Sequence, residues 1–404
     1  MARWLKNATI YHIFVDRFSR GAEHDKKPIP CSGPVFCGGN IQGIVDRLDY
    51  LQDLGINTIL ISPVNKTSAY HGYHITDFFN VDPRFGSVGI LKVLIHEAHR
   101  RGVRILIDFV ANHISYKHPY FLDAQHNQDS QYRNWFYFVR WPDKYLCFLS
   151  YYELPKLNLD YAHTRDHLVN SAKWWLAMGI DGFRLDHVVG PKHSFWRFFR
   201  EEVKKEYPNA VLIGEVGISG VRWHELRTIN VRGKYMKWVK HLFGSASDSV
   251  LKEYVGDLDG VLDFEFQKLM KEFIAKPSFL RPRWLLQWKL KRHYKKFPEG
   301  FYLPTFLDNH DMNRFIFTTG QDKNKLKEAA KIQFSQTQPP IIYYGTEIGL
   351  TQREDVSSFK EDGDLVARGM MRWQEKEWDK GLLAFYRGLI HERARSHALD
   401  FHCP

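Results

Sequence analysis

The stretch IVDRLDYLQDLG (44–55), followed by NTILI (57–61), sets the reading of the fold. Ile44, Leu48, Leu51 and Leu54 recur at the three- and four-residue spacing that lines up one face of an α-helix, so the segment buries a single apolar stripe. Gly55 closes it where a helix turns into a left-handed cap, which glycine adopts without steric cost. The run after Asn57 is apolar without alternation. A strand of that kind has both faces covered, as in a parallel sheet whose crossovers are helices.

The same couplet recurs along the chain. Apolar runs rich in Ile, Val, Leu and Phe fall at 9–15, 57–61, 104–110, 182–186, 210–216, 260–266, 301–307 and 340–344, with helical patterns between them such as HLVNSAKWWLAMG (167–179). Eight strands alternating with helices predict an α/β protein, specifically a (β/α)8 TIM barrel. From 114 to about 163 the text becomes aromatic, polar and turn-rich without a clear crossover helix, and reads as a small subdomain inserted after strand 3. The expected organisation is a barrel in two parts, 1–113 and 164–404, around an insert at 114–163. After the eighth strand a loop from 346 to about 378 leads to a last helix, LLAFYRGLIHERARSHAL (382–399).

A chain of 404 residues with 44% hydrophobic content has ample material for a large core, so metal or disulfide staples are not needed for stability. Lys and Arg exceed Asp and Glu, 57 against 46, a net charge of +11 that by itself would admit an anionic partner. The basic residues are scattered apart from 281–296, where Trp284, Trp288 and Tyr294 are interleaved. That pattern fits a nucleic-acid stacking surface or an amphipathic helix with a solvated basic face, and the helical spacing favours the helix. No nucleic-acid motif accompanies the charge, and no nucleic-acid partner is expected. The start, MARWLKNATIYHIFVDRF, lacks the continuous apolar core and cleavage site of a signal peptide, and no later run is long enough to span a bilayer, so a cytoplasmic protein without a membrane partner is expected. Four cysteines, Cys31, Cys37, Cys147 and Cys403, read as free thiols by default, with a Cys31–Cys37 bridge the alternative that their Gly/Pro-rich loop allows.

Chemistry concentrates where strands end, the place at which barrel enzymes carry their reacting groups. Asp186 closes GFRLDH, Glu215 closes VLIGEV, and Asp311 ends FLDNHD, so three strands deliver carboxylates to one face. Each acid alone could equally be capping the next helix. Together, and with Arg184 two residues before Asp186 on the same strand face, they read as a reacting centre.

These segments resemble the α-amylase family, glycoside hydrolase family 13. DFVANH (108–113), GFRLDH (182–187), GEV (214–216) and FLDNHD (306–311) are similar to its four main regions, and HGYHITDFFNVDPRFGS (71–87), LPKLN (154–158) and GTEIG (345–349) extend the likeness over nearly the whole chain. LPKLN looks closest to the neopullulanase and cyclomaltodextrinase group. The resemblance implies an α-glucan as partner and substrate, and assigns roles. Asp186 would be the nucleophile, kept ionised by Arg184. Glu215 would be the acid/base, a role needing a carboxyl whose pKa lies near working pH. Asp311 would hold ring hydroxyls of the distorted sugar. Tyr73 would offer an aromatic face, and His113 and His310 would donate hydrogen bonds to hydroxyls. Retention through a glycosyl-enzyme is expected, with α-1,4 and also α-1,6 bonds as targets.

Departures from the family pattern bear on the cofactor. Asn112 matches a calcium ligand of the family, Asn158 stands where many amylases place a carboxylate, and Gly190 stands where a Lys-His pair often ends. A hard cation wants six to eight oxygens, so no cofactor is expected to be required and bound calcium is disfavoured. His187 is atypical. Most relatives carry a C-terminal β-sandwich, and this chain is expected to lack a full one; either another subunit, as in a homo-oligomer, covers the barrel surface so exposed, or the enzyme is a compact form with reduced affinity for large polysaccharides. Two other functions fit the same residues: a transglycosylase or other α-glucoside-converting enzyme with a drier acceptor site, and a non-catalytic glucan-binding or protein-interaction scaffold. The scaffold would be marked by loss of a catalytic carboxylate, and all three are present.

Overall fold

The computed structural model describes residues 3–26, 31, 33–217, 248–278, 281–358 and 363–399. Each expected apolar run contains a strand: β1 Ile10–Ile13, β2 Thr58–Ile61, β3 Arg104–Val110, β4 Gly182–Asp186, β5 Val211–Gly214, β6 Gly260–Val261, β7 Thr305–Phe306 and β8 Pro340–Tyr343. Seven of the eight are buried at every residue, and β3 at all but its first, so the absence of alternation in the text reports burial of both faces.

The chain divides into two compact units. One takes in Pro63–Pro83 and Leu106–Leu262, the other Arg3–Ser62, Arg84–Ile105 and Asp263–Pro404. The first has parallel strand order β6-β5-β4-β3, with Gly182 of β4 opposite Leu106 on one side and Val211 on the other. Gly182 has φ +149, and a Cβ there would lie 2.2 Å from the Val211 carbonyl, so only glycine lets β4 and β5 approach this closely. The second unit has order β2-β1-β8-β7, with Ile10 opposite both Thr58 and Ile341. Eight parallel strands, four to a unit, alternate with helices along the chain, as the sequence requires of a (β/α)8 barrel.

The helix expected over 44–55 starts earlier and is broken in two, Ile41–Val45 and Leu48–Leu54. The Asn40 side chain caps the first at the Gly43 N–H. Asp46 and Arg47 then turn away to other partners: Asp46 accepts from the Ala22 N–H at 2.9 Å and Arg47 pairs with Asp25 at 2.8 Å. Gly55 caps the second at φ +94, as read. The helix expected over 167–179 begins at Ala162 and runs to Ala177. The final helix is Lys380–Leu399.

Between the helices and β3 and β4 lies an aromatic layer. Phe109 meets Phe183 at 5.1 Å and Phe199, on helix His193–Glu206, at 5.7 Å. Alternation therefore turns Asp108, Arg184 and Asp186 to the opposite face of the same strands. Residues after β3 form a short helix, Pro119–His126, and two small antiparallel pairs, Phe138–Arg140 with Lys144–Tyr145 and Cys147–Phe148 with Tyr151–Pro155.

Two readings are refined. Cys31 and Cys37 form a disulfide, Cα atoms 5.7 Å apart, rather than free thiols, while Cys147 is a buried free thiol. Their loop is tied to the start of the chain: Asp16 accepts from the Cys37 N–H at 2.9 Å and Arg17 donates to the Val35 carbonyl at 3.1 Å. Cys403 lies outside the described residues. The basic stretch is a helix, Arg283–Tyr294, that buries Leu286, Leu290 and His293, but its tryptophans join the basic side: Trp284 and Trp288 are 70% and 51% exposed. No helix among the described residues is long and apolar enough to cross a membrane.

Candidate active site

Register builds the centre of the first unit. Parallel pairing sets Arg184 on β4 opposite Asp108 on β3, and Asp186 opposite Val110. Beyond the end of β5 the backbone pairing continues, the Glu215 N–H donating to the Leu185 carbonyl at 2.9 Å and the Val188 N–H to the Glu215 carbonyl at 3.1 Å, which fixes Glu215 beside the end of β4. The result is one guanidinium among three carboxylates. Arg184 Nη1 lies 2.7 Å from Asp108 Oδ2 and 2.9 Å from Asp186 Oδ1, and Nη2 lies 2.9 Å from Glu215 Oε1. Arg184 and Asp108 are buried, whereas Asp186 and Glu215 keep partial exposure, with side chains 11% and 15% accessible. The buried pair forms the floor of the cluster and the two partly exposed acids its accessible edge.

Burial opposes the charge of Arg184, but Asp108 and Glu215 outweigh it and hold its pKa well above the ordinary arginine value. Burial pushes the Asp108 carboxyl up to about 7, against the pull of Arg184 and with Asp186 adding to the rise. Tyr73 donates its hydroxyl to Asp108 Oδ2 at 2.7 Å. Its place depends on Gly72, at φ +88, where a Cβ would lie 2.3 Å from the Pro63 carbonyl.

His113 and His187 complete this group. His113 is buried, and burial first, then the charges of His187, His74 and Lys156, depress its pKa well below the usual imidazole value, so it is neutral. His187 follows Asp186 with φ +43, donates its backbone N–H to Glu215 Oε2 at 3.2 Å, and is pushed down to about 3 by burial and by Lys156 and Arg184. A non-glycine residue at positive φ directly after Asp186 is a strained position, of the kind that collects at functional sites.

His310 and Asp311 lie in the second unit. His310 Nε2 is 3.1 Å from Asp311 Oδ2, and Arg368 Nη2 is 3.0 Å from Asp311 Oδ1 while its Nε donates to the His310 carbonyl at 2.8 Å. The Asp311 side chain is 40% exposed. Tyr73, His113, Arg184, Asp186 and Glu215 are thus brought together in one unit and His310 and Asp311 in the other.

The residues expected at a calcium site do not fit a hard cation. Asn112 Oδ1 is buried without a hydrogen-bond partner among the described residues, which by itself would suit a ligand. The Gly190 carbonyl, however, accepts from the buried Lys156 ammonium at 2.8 Å, and a divalent ion there would face that charge at close range. Asn158 is engaged elsewhere, donating to the Asn134 carbonyl at 2.8 Å and accepting from the Asp160 N–H at 3.2 Å. No group of three His, Cys, Asp or Glu able to hold a metal exists among the described residues. Gly190 is needed for this packing, since a Cβ would fall 2.0 Å from Asn112 Oδ1.

Asp108, Lys156 and Arg368 were not singled out from the sequence. Asp108 carried a signal, lying at the start of DFVANH two residues inside a strand end. Lys156 stood within LPKLN, and Arg368 lies in a loop without pattern.

Parallel strands that carry acids and a buried arginine at their ends fit a barrel enzyme, and comparison with known proteins shows the family. The profile of the α-amylase catalytic domain matches residues 12–385. The chain belongs to the α-amylase family, glycoside hydrolase family 13, and has its (β/α)8 barrel fold. It is 37% identical over 402 residues to alpha-amylase 2 of Dictyoglomus thermophilum, covering 98% of this chain and 64% of the relative. It is 32% identical over 412 residues to a cyclomaltodextrinase of a Bacillus species, covering 98% and 67%. The ligand-free structure of a cyclic α-maltosyl-(1→6)-maltose hydrolase from Arthrobacter globiformis matches with TM-score 0.81 at 29% identity, covering 97% of this chain and 84% of that one. The chain therefore spans about two thirds of the length of the first two relatives.

Proposed function

We propose that this protein is a retaining α-glucan hydrolase that cuts α-1,4 and also α-1,6 glucosidic bonds of starch- or glycogen-type oligosaccharides. The observation that carries the reading is the single Arg184 guanidinium holding Asp186 and Glu215 side by side while Asp108 anchors it from beneath. Relatives named for action on cyclic maltosaccharides support the substrate class.

In this reading Asp186 attacks the anomeric carbon as the bond to the departing oxygen breaks, and Glu215 gives its proton to that oxygen. Glu215, now a carboxylate, then takes a proton from water; the water oxygen attacks the anomeric carbon, the ester to Asp186 breaks, and both acids return to their starting states. Arg184 stabilises the Asp186 carboxylate as a nucleophile and as a leaving group. Tyr73, positioned by its bond to Asp108, presents its ring to the sugar, and neutral His113 donates to a hydroxyl. His310 and Asp311 bind hydroxyls whose hold strengthens as the oxocarbenium-like transition state forms. In this reading no calcium is required at Asn112, and the Lys156 ammonium on the neighbouring Gly190 carbonyl supports that.

The test is product analysis with maltoheptaose, pullulan, β-cyclodextrin and sucrose, each with EDTA and with added calcium. Shorter maltosaccharides released first as the α-anomer support the proposal. First release of the β-anomer contradicts retention. Products longer than the donor favour a transglycosylase, and no turnover of any substrate overturns the reading.

A further inference from the structure

Helix Arg283–Tyr294 presents two distinct sides. Leu286, Leu290 and His293 are buried, and His293 Nε2 lies 3.1 Å from Asp263 Oδ1, which fixes this side to the body of its unit. Steps of four and three residues also separate Trp284, Trp288, Lys291 and the cap residue Lys295, so these four line up on the opposite side, and all are exposed. Arg281 and Arg292 stand exposed beside them. From 281 to 296 the chain carries seven Lys and Arg residues and no Asp or Glu. Glu328, on the neighbouring helix Lys323–Phe334, meets Arg283 at 2.8 Å and neutralises that end of the face.

We infer that this face docks on an anionic lipid bilayer surface. Two indoles held out to solvent beside a row of cations are the composition of a helix that lies in a membrane interface, where the indole rests at headgroup depth and ammonium and guanidinium groups meet lipid phosphates. Here the helix is already folded and anchored on its other side, so Trp284 and Trp288 enter the interface while Lys291, Arg292 and Lys295 supply the attraction. A helix lying on a surface needs no bilayer-spanning run, so an expectation of no membrane partner drawn from the lack of such a run does not bear on this face. A nucleic-acid strand fits less well. Base stacking needs free ring faces, and the Arg292 guanidinium lies over the Trp288 ring at 5.1 Å.

Flotation of the whole chain with vesicles of pure phosphatidylcholine, and of equal parts phosphatidylcholine and phosphatidylglycerol, is the test. Wild type partitions at least roughly tenfold more strongly to the anionic vesicles and is released by salt. Trp284→Ala/Trp288→Ala, which leaves net charge untouched, lowers that partitioning roughly tenfold. Lys291→Gln/Lys295→Gln lowers it at least roughly tenfold, whereas Lys66→Gln/Lys117→Gln, two exposed lysines of the other unit, removes the same charge for less than about a threefold loss. The substituted side chains are exposed, so the circular dichroism spectrum stays that of wild type. A wild type that ignores the anionic vesicles or binds both kinds alike overturns the assignment. So does a tryptophan variant that binds as wild type does, or equal losses in the two lysine variants, either of which marks adsorption by net charge alone. Tighter binding to a single-stranded oligonucleotide than to vesicles, lost in the tryptophan variant, overturns it in favour of a nucleic-acid surface.

Discussion

Lowering the pH from 7.5 to 5 should selectively loosen helix Pro119–His126. His118 caps this helix: its Nδ1 accepts the Tyr120 N–H at 3.1 Å, which requires the lone pair of a neutral ring. Its proton then sits on Nε2, which has no hydrogen-bond partner among the described residues. Burial pushes the pKa down to about 4, with neighbouring His167 adding to the fall and Asp77 opposing it. An unfolded histidine titrates near 6.5. Because the folded value is the lower one, the open state binds the proton more readily. Stability is complete above about pH 6.5 and is lost as pH falls from there toward 4. At pH 5 roughly 1.5 units of that gap have been crossed, about 2 kcal/mol, or roughly thirtyfold in the closed-to-open ratio.

Hydrogen–deuterium exchange of a peptide covering 118–127, corrected for the intrinsic pH dependence of exchange, measures that ratio directly. His118→Asn is the matched comparison, because asparagine is a good helix cap and does not titrate. His167, itself pushed down to about 4 by burial, titrates in both proteins and so cancels in the comparison to first order. Wild-type protection should fall roughly thirtyfold further than that of the variant between pH 7.5 and 5. Parallel pH curves for the two proteins would refute the assignment of the acid lability to His118.

Asp186→Asn should abolish turnover with an unchanged circular dichroism spectrum, since an amide cannot form the glycosyl-enzyme; substantial remaining activity would remove Asp186 from the role of nucleophile. Arg184→Lys should lower kcat by roughly a hundredfold, because one ammonium cannot hold three carboxylates in the fork geometry of a guanidinium, and steady-state kinetics read the loss. Wild-type thermal unfolding should be indifferent to EDTA and to calcium. Lys156→Met, which strips the Gly190 carbonyl of its donor, should cost about 1–3 kcal/mol in urea unfolding. A calcium-induced rise in wild-type Tm would contradict this account of the site.

The strands were legible because parallel strands covered on both faces are written as unbroken apolar runs, and every one fell where such a run stood. Helix limits were less so: the break at Asp46 and Arg47 depends on partners at Ala22 and Asp25, across a loop whose path the text does not specify. Asp186, Glu215 and Arg184 stood out by their place at strand ends. Asp108 carried only its place near a strand end, because its role as the anchor of Arg184 exists only once β3 and β4 are in register, a pairing across 76 residues. Lys156 reads as any surface lysine until its ammonium is seen to be buried on Gly190. The Cys31–Cys37 pair could be proposed but not decided, since closure depends on how the loop bends.

The interleaving of the two units along the chain has a consequence for synthesis. Every residue of the cluster around Arg184, from Tyr73 to Glu215, belongs to a unit complete at Leu262, whereas the unit containing His310, Asp311 and Arg368 draws on both the first sixty residues and the last helix. A ribosome adding about 5–20 residues per second releases the first set well before the second has been made. The amino-terminal strand β1, already paired with β2, must then wait with its other edge unpaired until β8 arrives with the carboxyl end. Chaperone dependence and premature aggregation of nascent chains should therefore track the amino-terminal segment rather than the carboxylate cluster.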